Sequence, residues 1–374
     1  MLTEKIKQLI TSRSQIKLPG SKNGKFSTTH LSFILPKPYW LRALWGQKAH
    51  PNQLEIAAFI KCLRLISKKI IITDYRYNNS KIDADLSIGF GEGLSRSLNA
   101  NSRFIYYATG CSYAFQTNAA INELNLISTK IKGASSKFFR FPEKNATSLE
   151  ISANFLYTIG NNKTASTFDR DTDQIRCLPG IALGFEKPKP QPTNIRRAER
   201  KNLVWIGSKG ILHKGIHIAA ECASKLQYKL VAIGITRSEM DFARSILDSF
   251  SIEYELHGFQ VVGSSEWHEI CERSLFALGC SVSEGMSTAL LTGALHGLIP
   301  ISTDTCGINV GDVISFEPRN SLIERLIERI KKLSTAPDYE LIKIRAEIKE
   351  KVLLENSPES FEHALQMYLS EDLQ

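Results

Sequence analysis

The sequence predicts an α/β protein of two domains, each built on a parallel sheet with helices between its strands. The first observation is that short apolar runs alternate with amphipathic stretches along most of the chain, a pattern typical of parallel sheets. The second is a segment with three prolines, Pro188, Pro190 and Pro192, which favours a stiff, extended linker. The third is the length of 374 residues, 43% of them hydrophobic, which suits two domains with separate cores.

The proline segment sets the predicted domain boundaries. We assign residues 1–187 to an N-terminal domain, 188–200 to the linker, 201–345 to a C-terminal domain and 346–374 to C-terminal helices. The first 30 residues are polar and rich in lysine, and we expect them to be poorly ordered or peripheral.

The spacing of apolar residues predicts each element in turn. In the N-terminal half it predicts a helix at 56–66, strands at 70–73, 103–110, 154–161 and 175–179, and at 85–93 a strand that enters a glycine-rich turn. In the C-terminal half it predicts strands at 203–207, 229–234, 256–259, 275–279 and 298–301, and helices at 216–226, 288–296, 321–333, 338–351 and 358–369.

Composition narrows the expected location. The seven cysteines are dispersed without a CxxC pair, which indicates reduced thiols in a cytosolic protein. No apolar run approaches the roughly 20 residues that span a bilayer, and the N-terminus lacks the apolar stretch of a signal peptide. We therefore expect a cytoplasmic protein.

The net charge of +9 leaves several partners open. A solvated basic surface is the simplest interpretation, and attraction to anionic lipid head groups at the inner face of the membrane is the second. Nucleic acid is the third, but the chain has no helix-turn-helix, zinc-finger or RNA-binding aromatic motif. We expect no nucleic-acid partner.

The segment 280–307 carries the strongest functional signal. An apolar strand ends in a polar loop with Glu284 and Gly285, a helix follows Ser287, and a second strand begins at Leu298. Ligands of parallel sheets bind beyond the carboxyl ends of the strands. The helix start offers unpaired N–H groups to an anion, and Glu284 offers acceptors to hydroxyl groups. A ligand with both phosphate and hydroxyl groups, such as a sugar nucleotide, would suit this unit.

Glu284, Gly297 and Pro300 have the spacing of a known donor-site motif, and the segment resembles that of the GT-B glycosyltransferases, in particular the large retaining family called GT4. Thr292 stands where that family has a second glutamate, which typically holds the ribose of the donor. The resemblance implies two Rossmann-like domains facing across a cleft, with a C-terminal helix that packs back on the first. It also implies transfer of a sugar, with retention of configuration, from a nucleotide sugar to a hydroxyl acceptor in glycan, polysaccharide or glycolipid biosynthesis.

The resemblance is good over residues 200–310, weak over 70–185 and undetectable over 1–60, and it implies specific roles without a metal or cofactor. Lys214 matches the phosphate-binding lysine, while Ser208 replaces the usual arginine, with Lys209 beside it as a substitute charge. The implied catalytic residues are Glu284 and Lys214. The implied donor-binding residues are Gly207, Ser208, Lys209, Lys214, His257, Gly258, Phe259, Glu284, Gly285, Met286, Ser287, Thr288 and Thr292.

The acceptor side of the implied cleft falls in the N-terminal half. Gly89, Gly91 and Gly93 follow a strand, but without the spacing of a dinucleotide-binding fingerprint. A catalytic His-Asp pair of many family members is replaced by a small-residue turn. We expect the acceptor side to be lined by Gly89, Gly91, Glu92, Thr109 and Gly110, with plain turn geometry as the alternative for the glycines.

Simpler interpretations stay open at each site. Glu284 could cap the following helix, and Lys214 could be an ordinary surface lysine. His213 and His217 are four residues apart, but no third ligand has fitting spacing, so we expect no metal. For the whole chain, the alternatives are a non-catalytic or degenerate sugar-nucleotide-binding module and a sugar-nucleotide epimerase on the same fold.

Overall fold

The computed structural model describes residues 15–34, 50–77, 79–99, 102–142, 145–184 and 199–374. The prolines of the predicted linker lie outside these ranges. The described residues form two predominantly parallel sheets with helices between the strands, which confirms the predicted α/β class. They divide into two compact units: the first takes the described parts of Met1–Tyr113, Pro142–Ile181 and Pro358–Gln374, and the second those of Ala114–Phe141 and Ala182–Ser357.

The first unit contains a seven-stranded sheet with the order β1-β3-β2-β4-β5-β6-β7. Only β1 runs antiparallel to its neighbour. The strands are β1 Gln15–Pro19, β2 Thr29–Phe33, β3 Lys69–Asp74, β4 Leu86–Gly89, β5 Arg103–Ala108, β6 Phe155–Ile159 and β7 Ile175–Leu178. The α-helices are Pro51–Ile66, Gly91–Ser95, Ala146–Ser152, Asn162–Ala165 and Pro358–Asp372.

The prediction that residues 1–30 are poorly ordered or peripheral is wrong for Thr29 and His30, which belong to β2, whereas β1 is an edge strand and residues 1–14 lie outside the described ranges. Strand β2 lies between β3 and β4, and all five of its residues are buried. Its polar residues interrupt the apolar pattern that predicts a strand, and several of their side chains pair with other segments of the chain. The His30 Nε2 lies 2.8 Å from the Thr73 Oγ1, and the Ser32 hydroxyl donates to the Phe90 carbonyl at 2.8 Å.

The last helix of the chain packs on the first described helix within this unit. The Phe361 ring meets the Phe59 ring edge-on at 6.2 Å between centroids, and the Lys61 Nζ lies 2.8 Å from the Glu362 Oε2. The apolar contact anchors the helix, whereas the exposed ion pair contributes little, about 0–1 kcal/mol.

The second unit contains a six-stranded, all-parallel sheet with the order β10-β9-β8-β11-β12-β13. The strands are β8 Asn202–Ile206, β9 Lys229–Ile233, β10 Tyr254–Leu256, β11 Phe276–Gly279, β12 Ile299–Thr303 and β13 Asp312–Ile314. The α-helices are Tyr113–Ile127, Ile216–Leu226, Met240–Ser249, Ser265–Glu272, Thr288–Leu295, Leu322–Ser334 and Asp338–Glu355.

The strand order of the second sheet indicates where a ligand could bind. Strand β8 pairs with β9 on one side and with β11 on the other, so the chain changes direction across the sheet at β8. Open α/β sheets bind ligands at such a switch point, beyond the carboxyl ends of the strands. The loops that follow β8 and β11 both lie at this edge.

A segment from the first third of the sequence also belongs to the second unit. The Phe138 ring stacks on the Phe242 ring at 3.7 Å between centroids. The Phe138 carbonyl accepts hydrogen bonds from the backbone N–H groups of Leu212, at 3.1 Å, and His213, at 3.3 Å. Residues 114–141 are therefore attached to the loop after β8, although they precede it by some seventy positions.

Within the ranges that the structure describes, no helix combines the length and apolar character needed to cross a bilayer.

Candidate functional site

The loops after β8 and β11 approach each other closely. The Val282 N–H donates to the His213 carbonyl at 2.9 Å. Gly215 has a φ of +72°, and a Cβ there would lie 2.1 Å from the Cys280 carbonyl oxygen. Only glycine permits this backbone conformation and this contact together. Gly215 thus brings the neighbouring Lys214 beside the loop that carries Glu284.

Lys214 and Glu284 form a nearly buried ion pair. The Lys214 Nζ lies 2.5 Å from the Glu284 Oε1, and the two side chains are only 11% and 12% exposed. The Ser281 hydroxyl donates to the same carboxylate oxygen. Neither residue is therefore an ordinary surface residue, and the pair forms the centre of the candidate site.

Burial and charge act on both members of the pair. Burial alone would raise the pKa of Glu284, but the charge of Lys214 and the hydrogen bonds from Lys214 and Ser281 hold that pKa below its ordinary value. Burial lowers the pKa of Lys214, and Glu284 opposes this effect. The carboxylate is accordingly an acceptor-only group, held in place by two donors.

The loop before the helix Thr288–Leu295 is braced by the turn 304–307. The Glu284 N–H donates to the Thr305 carbonyl at 2.9 Å, and the Ser287 N–H donates to the Cys306 carbonyl at 2.8 Å. Gly285 packs directly against Gly307, because a Cβ on Gly307 would lie 1.7 Å from the Gly285 carbonyl oxygen. Ser287 occupies the predicted N-cap position, but its hydroxyl makes no capping hydrogen bond.

Two other predicted donor residues flank this loop. The Met286 Sδ accepts from the Asn356 Nδ2 at 3.5 Å, so the thioether lies against the end of the helix Asp338–Glu355. Thr288 begins the helix Thr288–Leu295, and its carbonyl accepts from the Thr292 hydroxyl at 2.7 Å.

Thr292, at the position of the family's second glutamate, has a structural role that the sequence interpretation did not include. Its side chain is 4% exposed. Besides donating to Thr288, its hydroxyl accepts from the Leu183 N–H at 3.0 Å. Both functions of the hydroxyl are therefore in use.

We expect Thr292→Glu to destabilise the protein. The larger carboxylate would displace the hydroxyl and leave the Leu183 N–H without its acceptor, which costs about 1–3 kcal/mol, before any penalty for burying the charge. Urea unfolding of Thr292→Glu beside the conservative Thr292→Ser measures this. Equal stability of the two variants would show that the site has room for a glutamate.

The residues 207–209 are held by an arginine that the sequence analysis did not identify. The Arg140 Nε donates to the Lys209 carbonyl at 2.8 Å, and its Nη2 donates to the Ser208 hydroxyl at 2.5 Å. Gly207 packs against Trp205, whose ring would lie 2.0 Å from a Cβ at that position. The only sequence signal for Arg140 was the absence of an arginine at position 208.

The segment 257–259 follows β10 at the same edge of the sheet. The His257 ring lies between two carboxylates, with its Nε2 at 3.0 Å from Glu255 and its Nδ1 at 3.0 Å from Glu266. The Gly258 carbonyl accepts from the Gly234 N–H at 3.0 Å. The Phe259 side chain is 79% exposed, which is unusual for an aromatic residue and leaves a flat apolar face available.

His213 and His217 do not share a ligand. The His213 Nε2 lies 2.7 Å from the Ser283 carbonyl oxygen, and the His217 Nε2 lies 2.8 Å from the Glu123 Oε1. Across the described ranges, no three His, Cys, Asp or Glu side chains are arranged to hold a metal ion.

The predicted acceptor-side residues lie in the first unit. Gly89 and Gly91 have positive φ angles, and a Cβ on either would meet backbone oxygens of Ser32 or Tyr75 within 2.5 Å. The turn geometry thus requires these glycines. Glu92 forms an exposed i,i+4 ion pair at 2.9 Å with Arg96.

Thr109 and Gly110 follow β5 at the carboxyl edge of the first sheet. Thr109 is exposed, whereas the Gly110 carbonyl accepts from the Thr158 hydroxyl at 3.1 Å. A cleft that joins these residues to Glu284 stays a prediction.

Comparison with known proteins gives matches in structure alone. No protein-family model and no curated protein sequence matches the chain. HepE of Anabaena, crystallised with UDP and glucose, is 11% identical with a TM-score of 0.56, covering 92% of this chain and 100% of that one. WaaG, a glycosyltransferase involved in lipopolysaccharide biosynthesis, is 14% identical with a TM-score of 0.53, covering 91% and 99%.

Two further structures extend the comparison. The trehalose-6-phosphate synthase OtsA is 11% identical with a TM-score of 0.53, covering 93% of this chain and 99% of that one. TarM is 12% identical with a TM-score of 0.50 over 77% of this chain, which spans only 55% of TarM's length. These neighbours are GT-B glycosyltransferases. The two α/β units and the likeness to these structures show that the chain has the GT-B fold.

Proposed function

We propose that the protein is a glycosyltransferase that moves a sugar from a nucleotide-sugar donor to a hydroxyl acceptor. The observation that carries the proposal is the nearly buried Lys214–Glu284 pair at the switch point of the second sheet. Such pairs gain little net stability, so their presence at a ligand-binding edge favours a functional role. Within the same fold, HepE was crystallised with UDP and glucose.

The chemistry of the pair suits sugar transfer. As the bond between sugar and diphosphate breaks, negative charge grows on the leaving diphosphate, and the Lys214 ammonium would stabilise it. Interactions that strengthen in the transition state accelerate the reaction. The Glu284 carboxylate, with Ser281 as its second donor, would accept hydrogen bonds from hydroxyl groups of the donor sugar.

The finer parts of the proposal rest on the sequence resemblance. Retention of configuration, assignment to GT4 and a role in glycan, polysaccharide or glycolipid biosynthesis follow from the spacing of Glu284, Gly297 and Pro300. Acceptor binding by the turns 89–92 and 109–110 belongs to the same proposal. We further propose that the reaction needs no metal or cofactor and that the protein is cytoplasmic. The net charge of +9 supports a salt-sensitive contact with anionic membranes.

The protein should be stabilised by a nucleotide sugar or by its nucleoside diphosphate. A ligand at 100 times its dissociation constant adds about 2.7 kcal/mol to the free energy of unfolding. Thermal unfolding with a panel of uridine, adenosine, guanosine and thymidine diphosphates and their glucose conjugates measures this effect. The absence of stabilisation by any member of the panel would contradict the proposal.

Turnover separates the transferase from the alternatives. Slow release of free sugar from the stabilising nucleotide sugar indicates a transferase without its acceptor, whereas binding without release indicates a non-catalytic module. A sugar nucleotide that changes configuration without release indicates an epimerase. Glu284→Gln should abolish most of the release, while Glu328→Gln, at an exposed position on the helix Leu322–Ser334, serves as the matched control.

A further inference from the structure

We propose that Arg140 binds the diphosphate of the donor and supplies, from a distant segment, the cation that position 208 lacks. The inference rests on the proposed function, because it assigns a further residue to the same donor site. Arg140 stands 68 residues before Ser208 in the sequence, yet its guanidinium lies directly on the loop 207–209.

The segment that carries Arg140 is fixed in place. The Phe138 carbonyl accepts from two N–H groups of the loop after β8, and the Phe138 ring stacks on Phe242. Phe139 is 6% exposed and meets the His213 ring edge-on at 6.4 Å between centroids. The backbone before Arg140 is therefore anchored to the same loop that ends in Lys214.

The glycine at position 210 leaves room for the Arg140 side chain. Gly210 has a φ of +87°, and a Cβ at that position would lie 2.9 Å from the Arg140 Cγ. The absence of a side chain at Gly210 lets the arginine lie across the loop. Two of its five N–H donors are used by Lys209 and Ser208, and three remain for a ligand.

The two hydrogen bonds of Arg140 are to uncharged groups. Its two hydrogen-bond acceptors are a backbone carbonyl and a hydroxyl, and within the described ranges the guanidinium has no carboxylate in salt-bridge contact. Lys214, by contrast, is paired with Glu284. Arg140, Lys214 and Glu284 thus carry two positive charges and one negative charge, and the Glu239 carboxylate accepts from the Gly210 N–H of the same loop at 2.9 Å.

Arg140 acts electrostatically on the ion pair. Its charge lowers the pKa of Lys214, after the larger effects of burial and Glu284, and also lowers the pKa of Glu284. The exposed guanidinium and the nearly buried ammonium therefore belong to one electrostatic site. A guanidinium binds two phosphate oxygens at once, so the three remaining N–H donors of Arg140 would suit a diphosphate.

The experiment compares ligands that differ in phosphate number. Dissociation constants for UDP, UMP, uridine and inorganic pyrophosphate are measured by calorimetry for the wild type, Arg140→Gln, Arg140→Lys and the control Arg244→Gln. Arg244 is exposed on the helix Met240–Ser249 of the same unit, so its variant makes the same change in net charge. If the protein is stabilised more by the diphosphate of another nucleoside than by UDP, the diphosphate, monophosphate and nucleoside of that base are used instead.

We expect Arg140→Gln to weaken binding of the nucleoside diphosphate and of pyrophosphate about ten- to a hundred-fold, the loss typical of one charged contact. Binding of the nucleoside should change less than two-fold, Arg140→Lys should retain part of the affinity, and Arg244→Gln should behave as the wild type. A purely structural brace would weaken nucleoside and diphosphate alike, and that result, or equal affinities throughout, overturns the proposal for Arg140.

The outcomes also separate this inference from the proposed function. Tight binding of a nucleoside diphosphate by both the wild type and Arg140→Gln sinks only the role of Arg140. If the wild type binds neither pyrophosphate nor any nucleoside diphosphate, the proposed function fails and the role of Arg140 fails with it. Should Arg140→Gln not fold, the comparison of Arg140→Lys with the wild type across the same ligands gives the answer.

Discussion

Replacing Lys214 by alanine is expected to lower the free energy of unfolding by about 3–5 kcal/mol. The substitution leaves the Glu284 carboxylate, 12% exposed, without its cation, and removal of one partner from a buried ion pair has a cost of this size. The structure shows that folding and activity must be measured together.

The double variant Lys214→Met, Glu284→Gln provides the internal test. Because it removes both charges, it should recover a large part of the stability lost in Lys214→Ala. The control is Lys225→Ala, whose side chain is 46% exposed and paired with Glu221 and Glu324, and which should cost at most about 1 kcal/mol. Urea unfolding of the three variants measures these differences, and equal losses for Lys214→Ala and Lys225→Ala would contradict the prediction.

The same variants bear on the proposed chemistry. Assayed well below their melting temperatures, Lys214→Ala should reduce the rate of sugar release more than the affinity for the nucleotide sugar. The reason is that the charge on the leaving diphosphate peaks in the transition state.

Three histidines with lowered pKa values are expected to reduce the stability of the protein in mild acid, and two glutamates with raised pKa values are expected to oppose them. Burial lowers the pKa of His30 to about 3 and is the largest cause that lowers the pKa of His213 and of His296 to about 4. In the unfolded chain these groups titrate near 6.5. At these histidines the unfolded state therefore binds more protons between pH 6.5 and 4, and their contribution to stability falls as the pH decreases through this window. Burial raises the pKa of Glu55 and of Glu150 to about 7. At these carboxyl groups the folded state binds more protons between about pH 4.5 and 7, so their contribution to stability rises as the pH decreases through that range.

The slope is up to about 1.4 kcal/mol per pH unit for each histidine. His30→Gln removes one titrating group and keeps a polar atom near the Thr73 hydroxyl, so its slope should differ from that of the wild type by up to about 1.4 kcal/mol per pH unit. His363→Gln, at an exposed position, is the control. Urea unfolding at pH 7.5, 6.0 and 5.0 measures the slopes, and a slope unchanged in His30→Gln would contradict the assignment.

Glu123 adds a second, lower window. Burial would raise its pKa, but hydrogen bonds from His217 and Arg319 bring it to about 2. A carboxyl group whose pKa is depressed on folding contributes stability above the pKa of its unfolded form and loses it as the pH falls. The loss attributable to Glu123 therefore begins below about pH 4.5 and continues towards pH 2.

The sequence by itself determined the elements whose apolar spacing is local. The helix predicted at 216–226 is observed as Ile216–Leu226, and the apolar runs predicted as strands at 203–207 and 275–279 are observed as Asn202–Ile206 and Phe276–Gly279. Apolar residues on the buried face repeat about every 3.6 residues in a helix and about every 2 residues in a strand. Such a pattern can therefore be recognised within the segment itself. The motif spacing likewise pointed to Glu284 and Lys214 before their contact was visible.

Only the tertiary structure decided the positions and burial of the polar residues in β2, of Arg140 and of Lys214. Strand β2 is polar in sequence and central in the sheet, because its hydroxyl and imidazole groups find partners on segments that lie far along the chain. Arg140 reaches the loop 207–209 for the same kind of reason: the Phe138 carbonyl and ring bind residues some seventy to a hundred positions later. Hydrogen bonds and ring contacts between distant segments produce no periodic pattern in the sequence of either segment. The burial of Lys214 and the position of Arg140 therefore follow from how the loops of the second unit pack, which no local pattern encodes.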